Sequence, residues 1–184
     1  GCHSGTINSG VGTAMITTNI PPTGYSIGTT YTITLTGTKL NCMRFGFELT
    51  AEDGLSKVGT FLITNATETA YANGTNNTAV THESAGNSGT NTKIWEMDWI
   101  AGATTNNSTT FYASLLFAND NQQNSGDNVF TTSLQVFEGI TLQSWDCDPS
   151  TGICSDPGTG QGQYTTLPDC QLSCIVATPT WDCD

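Results

Sequence analysis

Seven cysteines and two histidines are the residues of this chain best equipped for metal, haem or covalent chemistry, and their spacing sorts them into separate groups. The first group is Cys2-His3 in the opening "GCHSG". C-type haem needs two thioethers and an axial imidazole, supplied by Cys-x-x-Cys-His. Here Gly1 would be the second x, and the first cysteine would lie ahead of Gly1. A haem held at Cys2 and His3 would take its distal ligand from His82, Met15, Met43 or Met97. The simpler reading is a disulfide between Cys2 and Cys42, the only other cysteine before Cys147, which occupies both thiols without a cofactor.

The remaining cysteines, Cys147, Cys154, Cys170, Cys174 and Cys183, crowd into the last forty or so residues. "SWDCD" at 144–148 recurs as "TWDCD" at 180–184, so the segment reads as one Cys-rich repeat followed by the start of another. Two disulfides are expected among Cys147, Cys154, Cys170 and Cys174, in any of three connectivities, with Cys183 left to the next repeat. On this reading the protein continues past Asp184, and the start at Gly1 marks a mature form or a fragment.

Oxygen ligands offer less. Asp120 and Asp127 lie in an Asn-rich stretch, 119–128, of the kind that binds Ca²⁺ in extracellular proteins, but the Asp-x-Asp-x-Asp-Gly order of an EF-hand loop is absent. His3 and His82 lack the close-set partners of a metal site. Glu96 and Asp98 form an acid pair, yet they alternate with Trp95, Met97 and Trp99 and so belong to the outward side of a strand. No Gly-x-Ser-x-Gly elbow or recognisable triad companion for a histidine is present, and a non-enzyme is expected. Trp145, Tyr164 and Trp181 are candidate stacking rings for a carbohydrate. The sequons at Asn65, Asn73, Asn76, Asn106 and Asn107 read first as polar loops.

The elements that must carry these residues have period two. "YTITLT" alternates Tyr31, Ile33 and Leu35 with threonines, and "RFGFEL" alternates Phe45, Phe47 and Leu49 with Arg44, Gly46 and Glu48. Phe111, Ala113, Leu115 and Phe117 repeat the pattern, while Val129, Thr131 and Ser133 followed by Leu134 and Val136 predict a final strand pair with a slip or bulge. Turn residues separate these runs at Pro21-Pro22, Asp53-Gly54, Asn73-Gly74, 86–89 and 124–127. Seven or eight antiparallel strands in a domain spanning 1–142 predict an all-β chain with an immunoglobulin-like antiparallel β-sandwich. Residues 143–184 form a small C-terminal module too poor in apolar residues to hold itself without disulfides.

Composition sets the company the protein keeps. Four Lys and Arg against 16 Asp and Glu give a net charge of −12, which repels nucleic acid and anionic lipid. No run is long and apolar enough for a transmembrane segment, and the cysteine usage belongs to an oxidising compartment. "CHSG", "MRFGFELTAEDG" at 43–54, "THESAG" at 81–86, "IWEMDWIAGA" at 94–103 and "FYASLLFANDNQQNSGDNVFTTS" at 111–133 resemble, in that order, the bacterial surface domain called choice-of-anchor V. That domain is itself similar to the reeler domain, and the resemblance covers residues 2–138. It implies an immunoglobulin-like sandwich displayed outside the cell, no known catalytic residues, and a structural hydrogen bond at His82, the family's Thr-His position. The tail resembles Cys-rich repeats of secreted bacterial proteins, which implies a spacer or interaction module. The expected function is therefore that of an extracellular structural or adhesive surface protein, self-associating into a filament or binding other surface proteins or glycans. A haem-binding redox module and a carbohydrate-binding module stand as alternatives.

Overall fold

The computed structural model describes residues 6–54, 56–123, 125–139, 143–158 and 160–175. It divides into two compact units, Gly1–Gly139 and Ile140–Asp184. The first holds ten strands among its described residues: β1 Thr13–Thr18, β2 Thr30–Thr38, β3 Arg44–Asp53, β4 Ser56–Lys57, β5 Thr60–Leu62, β6 Thr69–Tyr71, β7 Ala79–His82, β8 Thr92–Ile100, β9 Ser108–Ala118 and β10 Asn128–Phe137. They form two antiparallel sheets, one in the order β1-β2-β8-β5 and one in the order β10-β9-β3-β7-β6, with β4 pairing back onto β3. This is the immunoglobulin-like sandwich that the alternation predicts.

The inward residues of the long strands meet in one aromatic core. Trp99 is fully buried and lies edge-on to Tyr25 at 5.5 Å and to Phe111 at 5.0 Å between ring centroids. Trp95 packs on Phe47 at 4.6 Å, and Phe117 sits between Phe45 and Phe130 at 5.6 and 5.1 Å. A buried indole must donate its N–H or lose a hydrogen bond. Trp99 donates to the Val58 carbonyl at 3.1 Å and Trp95 to the Gly86 carbonyl at 2.9 Å. The second contact requires a close approach of two loops, since a Cβ on Gly86 would lie 2.0 Å from the Glu68 carbonyl oxygen.

The C-terminal end of the sandwich departs from the sequence reading. Asn128–Phe137 is a single strand paired with β9 in continuous register, without a slip or bulge. Phe130, Leu134 and Val136 are its inward residues, of which Phe130 and Val136 are buried, and Val129, Thr131 and Ser133 take the other face. Counting from Val129 places the pattern on the wrong phase, and the apparent slip disappears once Phe130 anchors it.

The second unit contains a hairpin of β11 Asp146–Asp148 and β12 Ile153–Ser155 and a short helix, α1 Leu167–Ser173. Thr166 caps the helix by accepting the Asp169 amide at 3.2 Å, and Pro168 stands in its first turn, where a missing N–H costs nothing. Cys147 and Cys154 face each other across the hairpin, and Cys170 and Cys174 lie one helical turn apart. The pairs are Cys147–Cys174 and Cys154–Cys170, the nested member of the three connectivities. No helix among the described residues is long and apolar enough to cross a membrane.

Candidate functional site

Among the described residues a groove of about 750 Å³ lies on the outer face of the larger sheet. Three strand pairings build it. Glu48 of β3 is in register with Thr81 of β7 and with Ser114 of β9, and Ser114 with Thr131 of β10. These residues therefore form one polar row across four strands. On one side of it runs a second row, Thr50, Tyr112 and Ser133, from which the Tyr112 ring stands 45% exposed. On the other side Gly46, Leu116 and Val129 are in register. Successive rows on one face are about 7 Å apart along the strands.

Gly46 shapes the floor. A strand interior disfavours glycine, and here the absent side chain is replaced by the imidazole of His82, which lies where a Cβ on Gly46 would come within 2.8 Å of Cε1. The Phe47 amide donates to His82 Nδ1 at 3.0 Å. That bond assigns the ring proton to Nε2. His82 thus makes the cross-strand hydrogen bond expected at this position, and its ring is among the groove lining. The Thr81 hydroxyl beside it donates to the Phe47 carbonyl at 2.8 Å and lies 3.5 Å from His82 Nδ1, and among the described residues neither His82 Nε2 nor the Glu48 carboxylate hydrogen-bonds a hydroxyl.

The residues singled out in the sequence fall elsewhere. Cys2, His3, Trp181 and Cys183 lie outside the described residues, and with them the haem reading and the Cys2–Cys42 bond. Cys42 is buried, has no disulfide partner among the described residues, and directs its sulfur at the Arg44 and Ala118 carbonyls. Burial pushes its thiol above the ordinary range. Of the candidate distal ligands, Met97 is core, whereas Met15 and Met43 are exposed.

In the 119–128 loop several side-chain oxygens have partners within the fold. Asp127 is buried and accepts the Asn119 amide at 2.9 Å. Asp120 pairs with Arg44 at 3.5 Å. The Asn119 and Asn121 side chains accept the amides of Asn121 and Gln123 at 3.1 and 2.9 Å. Among the described residues no three His, Cys, Asp or Glu ligands converge in this loop.

Glu96 and Asp98 face outward, where they accept the hydroxyls of Thr34 and Thr32 across β2 at 3.4 and 2.9 Å. Trp145 and Tyr164 pair through both backbone amides, at 2.7 and 2.9 Å, in the second unit. Hydrogen bonds from the Ser150 hydroxyl and amide hold Asp148 below the usual carboxylate range.

The sequence profile of the Reeler domain matches residues 3–122. No curated protein sequence matches the chain at a significant level. Among solved structures, a crystal structure of the human F-spondin reeler domain is 22% identical, with a TM-score of 0.53 over 73% of this chain and 94% of that one. A second crystal structure of that human domain is 20% identical, with a TM-score of 0.51 over 68% and 86%. A crystal structure of the Reelin-N domain of F-spondin is 24% identical, with a TM-score of 0.51 over 73% of this chain and 91% of that one. At these identities the likeness is one of fold.

Proposed function

Because the chain belongs to the Reeler domain family, we propose that it is an extracellular structural and adhesive protein of the cell surface, without catalytic activity, that binds through its sheet face. The observation that carries this reading is the groove itself. It is open, its only titratable side chains besides Tyr112 are Glu48 and His82, and the Nδ1 of His82 is already used by the Phe47 amide. A docking surface fits such a groove. The two disulfides of the second unit support an oxidising, extracellular setting.

Strand-edge polymerisation is the weaker form of the reading. Both ends of the β10 edge are clamped by the chain's own segments. Asn8 donates its amide to the Val129 carbonyl and accepts the Thr131 amide, and Tyr25 donates to the Phe137 carbonyl. Such clamps are a standard protection against edge pairing. Face-on adhesion is therefore favoured over filament growth through this edge.

The test has two parts. Antibody against the protein should label intact, unpermeabilised cells of the source organism, and beads coated with the purified protein should adhere to those cells. Absence of both labelling and adhesion overturns the reading.

A further inference from the structure

Resting on the adhesive reading, we infer that the groove on the outer face of the larger sheet is a binding site for an uncharged oligosaccharide. The lining has the three features that such a ligand needs. The first is a platform: the half-exposed ring of Tyr112 lies on the sheet face whose lining also includes the apolar side chains of Leu116 and Val129, free to stack on the C–H face of a sugar ring. Tyr112 has no hydrogen-bond partner among the described residues, so its hydroxyl is also available.

The second feature is a line of donors and acceptors at fixed spacing. Thr81, Glu48, Ser114 and Thr131 run across four strands in one register row, with neighbouring strands about 4.8 Å apart; the Thr81 hydroxyl donates to the Phe47 carbonyl at 2.8 Å and the Thr131 hydroxyl accepts from the Asn8 side chain at 3.0 Å, which fixes the two ends of the row. The Glu48 carboxylate and the Ser114 hydroxyl make no hydrogen bond among the described residues, and His82 presents its Nε2–H with Nδ1 occupied. Acceptor, hydroxyl and donor are thus all present and held by rigid strands rather than loops. A sugar's hydroxyls both donate and accept, and they match that mixture.

The third is charge. The lining contains one carboxylate and no Lys or Arg, the Lys57 ammonium at its rim, 2.8 Å from the Thr50 hydroxyl, is neutralised by Glu52 at 2.6 Å, and the chain carries a net charge of −12. Phosphorylated, sulfated or uronic-acid ligands are repelled, so the occupant is a neutral glycan.

The test is calorimetric titration of the full oxidised chain with a panel of neutral hexasaccharides of glucose, xylose, mannose and N-acetylglucosamine, beside heparin-derived and polygalacturonate oligosaccharides. At least one neutral oligosaccharide should bind, and no anionic one should bind more tightly. Tyr112→Ala should weaken binding at least tenfold, Tyr112→Phe by less than threefold, and Glu48→Gln measurably. Both positions are exposed, so unchanged circular dichroism and melting should accompany the loss. Tyr71→Ala, at an exposed ring outside the groove, should leave binding intact. Failure of the whole neutral panel, preference for an anionic ligand, or binding indifferent to Tyr112→Ala overturns the inference. If the coated beads still adhere to cells in that case, the adhesive reading survives and the glycan site does not.

Discussion

Gly46→Ala is the substitution that tests the construction of the groove floor most directly. The new Cβ would stand 2.8 Å from His82 Cε1, 3.1 Å from Nε2 and 3.3 Å from Nδ1, whereas ordinary contact begins at 3.4 Å. The ring must retreat by about 0.6 Å, which stretches the 3.0 Å bond from the Phe47 amide to a length at which it no longer counts as one. Losing that bond costs about 1 kcal/mol and the residual crowding about another, so Gly46→Ala should destabilise by about 2 kcal/mol. His82→Ala alone leaves the Phe47 N–H without its acceptor and should cost about 1–3 kcal/mol. In the His82→Ala background the clash is gone, and alanine in a strand is preferred to glycine by about 0.5–1 kcal/mol. The sign of the Gly46→Ala effect therefore reverses between the two backgrounds, a coupling of about 2–3 kcal/mol. Urea unfolding followed by the emission of the buried Trp95 and Trp99 reads this as midpoint shifts of about 1 M. Gly46→Ala costs that agree within about 0.5 kcal/mol in the two backgrounds would refute the contact between glycine and imidazole.

Other predictions follow from the same geometry. Non-reducing peptide mapping should recover Cys147 linked to Cys174 and Cys154 linked to Cys170, and a Cys147–Cys170 or Cys147–Cys154 peptide would contradict the hairpin-on-helix arrangement. Replacing either pair by alanine releases a loop with a sequence separation of 27 or 16 residues. It should cost the second unit about 3–4 kcal/mol, seen as rapid proteolysis between residues 147 and 174 while the sandwich stays intact. The raised thiol of Cys42 implies that its protonated form is favoured on folding, so its contribution is complete below the ordinary value of 9.0 and is lost as pH rises through the folded value. The stability difference between wild type and Cys42→Ala should be constant at neutral pH and shrink above 9.0, and a difference that stays level through alkaline pH would sink the argument. Trp99→Phe removes the donor to the buried Val58 carbonyl and leaves a gap between Tyr25 and Phe111. It should lower unfolding free energy by about 2–4 kcal/mol in chemical denaturation.

What could be read from the chain was whatever depends on period two over a long run. The phase of β2, β3, β8 and β9 follows from Ile33, Phe47, Trp95 and Leu115, because one buried face in a sandwich forces every second residue inward. The pieces that escaped are short. Residues 60–62, 69–71 and 79–82 are too brief to display an alternation, and they become strands only because β8 offers an edge to the first, β3 to the last, and β7 in turn to 69–71. The nested disulfides escaped for a related reason. Choosing among three connectivities requires the Cys147–Cys154 register and the direction of α1, and a four-residue repeat encodes neither.

The groove was harder still, because its residues are ordinary one at a time. Glu48, Thr81, Ser114 and Thr131 come from four strands separated by more than eighty residues of chain, and each reads as a solvated position on an outward face. Attention to chemically conspicuous residues led instead to Asp120, Asp127, Glu96 and Asp98, whose oxygens accept hydrogen bonds or ion pairs within the fold. One local mark did point to the site. Gly46 stands between the buried Phe45 and Phe47, and a glycine inside a strand is costly unless something fills the space its side chain would occupy. The filling group is a histidine thirty-six positions away, with its Nδ1 held by the backbone next to that glycine. A strand glycine together with a histidine at the end of a short strand is therefore a better guide to this groove than either carboxylate pair, because the two are explained by each other.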